Sequence, residues 1–180
     1  TGQDALVCSA DENPELFAAT IGGLGLTGVI QWAELKLLPI RASQINTTIV
    51  RFANLAEFFS LSAELDHLHE YSVAWIDCLA KGADTGRGVF IVGDHAEYGS
   101  LEVDDRSRLS VPVTPPISLI NNLSLRAFNS TYWHMHPGQK TKKRGAYEPF
   151  FYPLDRIQHW NRIYGRNGFQ QYQCVIPDAN

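Results

Sequence analysis

The sequence predicts an α+β fold in which an antiparallel sheet carries helices on one face, preceded by a shorter segment of different character. Three observations lead to that expectation. Residues 44–51 contain Thr47-Thr48-Ile49-Val50, a β-branched run of the kind that fits a pleated sheet. Residues 55–65 place apolar side chains at helical spacing directly after Asn54, a good N-cap. Residues 71–76 and 88–92 are short apolar runs, close enough in the chain to pair as neighbouring strands. Strand, helix, strand, strand in succession, without internal repeat or low-complexity tract, is how such a domain begins.

The remaining elements follow in chain order. Residues 4–9 read as a strand. Asn13 suits an N-cap and Pro14 the first helical position, and Leu16, Phe17 and Ala19 continue a short helix. A glycine-rich turn at residues 22–28 opens into residues 29–38, whose second half alternates as a strand does and which Pro39 closes. Residues 97–116 combine Glu102, Asp104, Asp105, Arg106 and Arg108 with Pro112, Pro115 and Pro116, a composition suited to an exposed linker. Residues 121–133 are expected to be helical and 147–152 extended. A short helix beginning at Leu154-Asp155 runs through Trp160 and Ile163 until Gly165 stops it. Residues 171–176 form a last strand. The chain thus divides into residues 1–40 and 41–180.

The glycine turn carries most of the functional signal. Gly23-x-Gly25-x-x-Gly28 has the spacing of a dinucleotide fingerprint, but that fingerprint follows a strand and opens a helix so that a pyrophosphate meets the helix N-terminus. Here the glycines follow a helix and open a strand. No acidic residue stands about 20 positions further on to hold a ribose. A nicotinamide site is excluded by context.

Asp11-Glu12-Asn13-Pro14-Glu15-Leu16-Phe17 together with Gly22 to Ile30 resembles the end of the flavin domain in the FAD-linked oxidases of the vanillyl-alcohol-oxidase type. In that family the glycine turn passes along FAD, since a backbone without Cβ atoms can approach a cofactor closely. The resemblance implies that Gly28, Val29 and Ile30 touch FAD through backbone atoms; without a ligand, the same residues are a turn between helix and strand. Tyr71 to Asp77, Gly86-Arg87-Gly88-Val89-Phe90, Phe150 to Asp155 and Gly168 to Pro177 resemble the decaprenylphosphoryl-ribose oxidase branch of the family, over roughly two thirds of the chain.

That resemblance implies a remnant of the FAD-binding domain in residues 1–40 and part of an antiparallel-sheet substrate domain in 41–180. It implies an oxidoreductase that passes a hydride from a sugar-like alcohol to flavin, with a lipid-linked sugar as substrate. An aldonolactone oxidase with a soluble substrate and a flavin-free sugar- or lipid-binding module are the alternatives. The chain is expected to be an excised middle piece. On that expectation FAD is held by the full-length protein rather than by this piece, which is inactive alone, contains no catalytic residue and dimerises through faces exposed by excision. The implied setting is cytoplasmic, including the inner membrane surface; whether an epimerase reductase is a partner is left open.

Site residues follow from the same source. Trp75 matches a tryptophan near the active site, with core packing as the equal alternative. Gln171 and Gln173, two apart on a strand, project to one face and can hold sugar hydroxyls; a solvent-facing polar stripe is the other reading. Phe151 and Tyr152 stand where the resembling oxidase has tyrosine and histidine, which removes a hydroxyl from the substrate pocket.

Composition sets the outer bounds. At 180 residues, 44% hydrophobic and 19% charged, the chain has material for a core. Its formal charge of −4 argues against nucleic acid or an anionic membrane as partner. No apolar run has transmembrane length. Cys8, Cys78 and Cys174 lack metal-like spacing and read as reduced thiols. His67 and His69 fit a solvated helix end. His134-x-His136 would project to one side of a strand but has no third ligand nearby, so no metal is expected. Lys140, Lys142, Lys143 and Arg144 fit a mobile solvated loop that could attract an anionic headgroup. No motif of a serine nucleophile, a Walker loop or a paired-carboxylate site is present.

Overall fold

A computed structural model describes residues 5–103, 109–116, 118–138, 140–154, 156–166 and 168–176. The chain divides into two units, Thr1–Pro39 and Ile40–Asn180. The larger unit is organised by β1 (Gln44–Phe52), β2 (Tyr71–Ile76) and β3 (Gly88–His95). A two-residue strand β4 (Leu109–Ser110) precedes β5 (Thr141–Ala146), and β6 (Ile157–Gln158) pairs with β4 in parallel. The main sheet runs β2-β3-β1-β5 and every pairing in it is antiparallel. The β-branched run of β1 therefore occupies an interior position, where such side chains pack best.

Because side chains alternate across a strand, the register assigns each residue to a face. One face carries Val50, Phe52, Ala74, Ile76, Phe90 and Val92, and helix α2 (Leu55–Leu65) covers it with Phe58, Leu61 and Leu65. The Asn54 side chain accepts a hydrogen bond from the Glu57 amide at 3.0 Å, fixing where that helix starts.

The opposite face carries Ile45, Ile49, Arg51, Trp75, Ile91 and Gly93. Helix α3 (Asn122–Met135) covers one end of it: Tyr132 lies 4.7 Å from the Trp75 ring, and Trp133 Nε1 donates to the Phe52 carbonyl at 3.2 Å. A capping box starts this helix, with Asn121 accepting from Ser124 N and the Ser124 hydroxyl accepting from Asn121 N, both at 3.0 Å. The single-turn helix α4 (Glu148–Phe151) covers the other end. A Cβ on Gly93 would stand 3.1 Å from Phe150 Cε2, so a residue without a side chain allows that ring onto the sheet.

The helices thus flank both faces of the sheet rather than one. The 44–51, 55–65, 71–76, 88–92 and 121–133 expectations hold as elements. Residues 147–152, expected to be extended, instead turn into α4, since Pro149 near the helix start favours its first turn. The helix expected from residue 154 begins only at Trp160, as a 3-10 segment Trp160–Tyr164, because Ile157 and Gln158 are drawn into pairing with β4; Asp155 lies outside the described residues. Gly165 does end that segment, at φ 72°. Helix α3 runs through His134, with His136 at its C-cap, so the two histidines do not share a strand face. Lys142, Lys143 and Arg144 of the basic run lie in β5 instead of a loop, because their backbone pairs with β1; cationic side chains also suit an outer strand. Gln139, and residues 104–108 of the expected linker, lie outside the described residues.

In the unit Thr1–Pro39, helix α1 (Pro14–Thr20) is the regular element among the described residues. Asn13 stands at its N-cap position with φ 50°, but its amide donates to the Val7 carbonyl at 2.8 Å instead of capping the helix. Residues 5–9, 29–38 and 171–176 form no ladder. A strand is completed only by a neighbour's N–H and C=O groups, and none is seated beside these segments among the described residues.

Candidate functional site

The glycine ribbon is open. Thr20 and Thr27 close its base, with their hydroxyls 2.9 Å apart. Gly25 and Gly28 have φ of +76° and +145°, values that L side chains rarely adopt, and a Cβ built on either meets nothing within 4 Å. Val29 and Ile30 follow at 92% and 66% exposure. The backbone is therefore open at Gly22, Gly25 and Gly28, whereas Gly23 packs against the end of α1, where a Cβ would overlap the Ala19 carbonyl oxygen.

In the larger unit, the face of the sheet opposite α2 bears a groove beside α4, lined by β1, β3, β5 and that helix. Ile45, Thr47, Ile49 and Ile91 form its floor, Lys143 and Phe150 stand among its walls, and its volume is about 440 Å³. Trp75 is on the same face, against Tyr132. Phe151 joins that face from α4, its ring 4.8 Å from Tyr71 and 4.9 Å from Phe150 in edge-to-face contacts. Desolvation raises the Tyr71 phenol above its ordinary pKa, and the hydrogen bond that it donates to Glu70 adds to the rise. Burial likewise raises Tyr132. Both hydroxyls remain protonated donors at neutral pH.

A second cavity, of about 350 Å³, lies where β2 ends and α3 passes. At its base Asp77, 2% exposed, accepts from Arg87 Nε at 3.1 Å, Asn129 Nδ2 at 2.7 Å and the Leu79 amide at 3.1 Å. Burial alone would raise this carboxyl, but the hydrogen bonds and the adjacent guanidinium outweigh it and hold the group below its ordinary value. Arg87 also lies over the Trp133 ring at 4.8 Å, with Arg51 at 4.0 Å from the same ring. His69, expected in a solvated helix end, has Nδ1 2.6 Å from Asp94.

No family model matches the chain. Over 180 aligned residues, 93% of the chain, it is 31% identical to decaprenylphosphoryl-β-D-ribose oxidase of Mycolicibacterium smegmatis. The chain is a relative of that oxidase. It is also 42% identical, over 96% of its length, to an uncharacterised Streptomyces coelicolor protein in the mprA 5′ region. It spans 38% of the oxidase and 51% of the Streptomyces protein, so the relationship to the oxidase concerns one part of a longer molecule.

Of the residues singled out from the sequence, Trp75 and Phe151 come to one sheet face. Gln171 and Gln173 lie in an exposed segment without strand pairing, so the expected two-residue alternation does not fix them on a common face. Gly28, Val29 and Ile30 belong to the other unit. Cys8, Cys78 and Cys174 are free thiols, and among the described residues no group of three metal-ligating side chains occurs. Among the same residues no helix is long and apolar enough to cross a membrane.

Sequence reading missed the Asp77–Arg87–Asn129 cluster. Its signal was present: pairing Ile76 with Gly88 puts Asp77 and Arg87 each one residue beyond the same end of the hairpin.

Proposed function

We propose that the full-length protein carrying this chain is an FAD-dependent oxidoreductase that oxidises a sugar-like alcohol, in the manner of the decaprenylphosphoryl-ribose oxidase to which it is related. The 31% identity across 93% of the chain carries the proposal. The open backbone at Gly25 and Gly28 supports the cofactor reading, in which Gly28, Val29 and Ile30 would hold FAD by main-chain atoms. Bound FAD supplies the hydride acceptor. The chain's own residues bind and orient. Trp75 and Phe151 offer aromatic surface to a sugar ring from one sheet face, and Gln171 and Gln173 offer amides that donate and accept together. No residue here is assigned an acid, base or nucleophilic role.

Phe151 and Tyr152 depart from the tyrosine and histidine of the resembling oxidase and so argue against the same lipid-linked pentose; a soluble aldonolactone is the second reading. The full-length protein should purify with flavin absorbance bands, and Gln173→Ala should lower kcat/KM at least tenfold, about 1.4 kcal/mol of transition-state stabilisation, while flavin content is retained. A colourless full-length protein would favour a binding module without redox function. Turnover against polyprenyl-phospho-pentoses and aldonolactones separates the two substrates.

A further inference from the structure

The cavity beside Asp77 is set up independently of any flavin. Its wall includes Asp77, Lys81, Asp84, Arg87, Arg126 and Ser130. Two of its charges are fixed by the fold: Asp77 is saturated by its three donors, and Arg87 is pinned between that carboxylate, with Nη2 at 3.1 Å, and the Trp133 ring. Arg87 Nη1 stands 3.9 Å from Asp84, an ion pair beyond hydrogen-bond reach. The side chains of Lys81 and Arg126 make no hydrogen bond or ion pair to any described residue. The Ser130 hydroxyl has only a 3.5 Å approach to His134 Nδ1.

Arg87 and Asp77 offset one another, so Lys81 and Arg126 against Asp84 leave the lining with a net charge of +1, in a chain whose formal charge is −4. Like charges collected against the overall balance create a local positive potential that selects an anion. Guanidinium groups, an ammonium and a hydroxyl together supply more donors than a carboxylate can accept, and they suit the several oxygens of a phosphate.

We propose that this cavity binds the phosphate group of a small soluble phosphomonoester. Calorimetric titration of the full-length protein at fixed ionic strength tests it, with inorganic phosphate, glycerol 3-phosphate and vesicles containing phosphatidic acid as probes. Saturable binding of both soluble probes is expected. It should weaken about tenfold in Arg126→Gln and in Lys81→Gln, the loss of one charged hydrogen bond. Both side chains are exposed, so the variants should keep the parent's unfolding temperature without ligand. No saturable binding, equal competition by chloride, undiminished affinity in both variants, or binding to the vesicles alone would each overturn the proposal.

Discussion

Asp77 illustrates how a buried charge is held at the scale of a residue. Its carboxylate is retained in the ionised form because Asn129, the Leu79 amide and Arg87 replace the water it lost. Asp77→Asn leaves the Arg87 guanidinium with only the exposed Asp84 carboxylate 3.9 Å away and should destabilise the fold by about 3 kcal/mol at neutral pH. The folded-state pKa is depressed, so the stabilisation is fully present above the ordinary carboxylate value of about 3.9 and disappears as pH falls through the lower folded value. Thermal unfolding at pH 7 and at pH 3 should show the gap between parent and variant narrowing on acidification; a gap independent of pH would refute the ionised role. This interaction could have been read in advance by extending the hairpin register past Ile76 and Gly88. The contact with Asn129 could not, since nothing local announces that a helix 52 positions later will pass over the site.

Helices and strands differ in how far the chain announces them. Helix α2 was legible because its signals are local, apolar spacing with Asn54 at the start, and the structure shows Asn121 giving α3 a local start of the same kind. Residues 29–38 and 171–176 carry strand-like patterns, yet a strand's hydrogen bonds belong to its neighbour, which local sequence does not specify. Strand β5 was obscured in the opposite sense, since Lys142, Lys143 and Arg144 read as solvated chain while their backbone pairs with β1. Capping supplies a test within one residue type. Asn54→Ala should cost about 1 kcal/mol by losing the bond to the Glu57 amide. Asn13→Ala, whose amide serves Val7 and caps nothing, should cost less; urea unfolding of the two variants measures the difference.

For the molecule as a whole, apolar exposure is concentrated in the unit Thr1–Pro39, where Leu24, Leu26 and Val29 are each at least 87% exposed. Surface of this kind drives association in water. The 180-residue chain alone should therefore self-associate with rising concentration in light scattering after size-exclusion chromatography, and Leu26→Lys with Val29→Lys should restore the monomer. A monomeric parent at every concentration would contradict this. Site-level legibility followed the same division: Trp75 and Phe151 reach one face because the sheet places them there, whereas the partners of Gln171 and Gln173 are not dictated by alternation. The sheet order also has a temporal consequence. β1 leaves the ribosome before either strand that will flank it, and the bond from the Thr47 hydroxyl to the Lys143 carbonyl joins residues 96 positions apart. Closing so long a loop is slow relative to hairpin formation. The nascent chain must carry β1 half-paired from the emergence of β3 until β5 follows, the interval in which a chaperone would have something to hold.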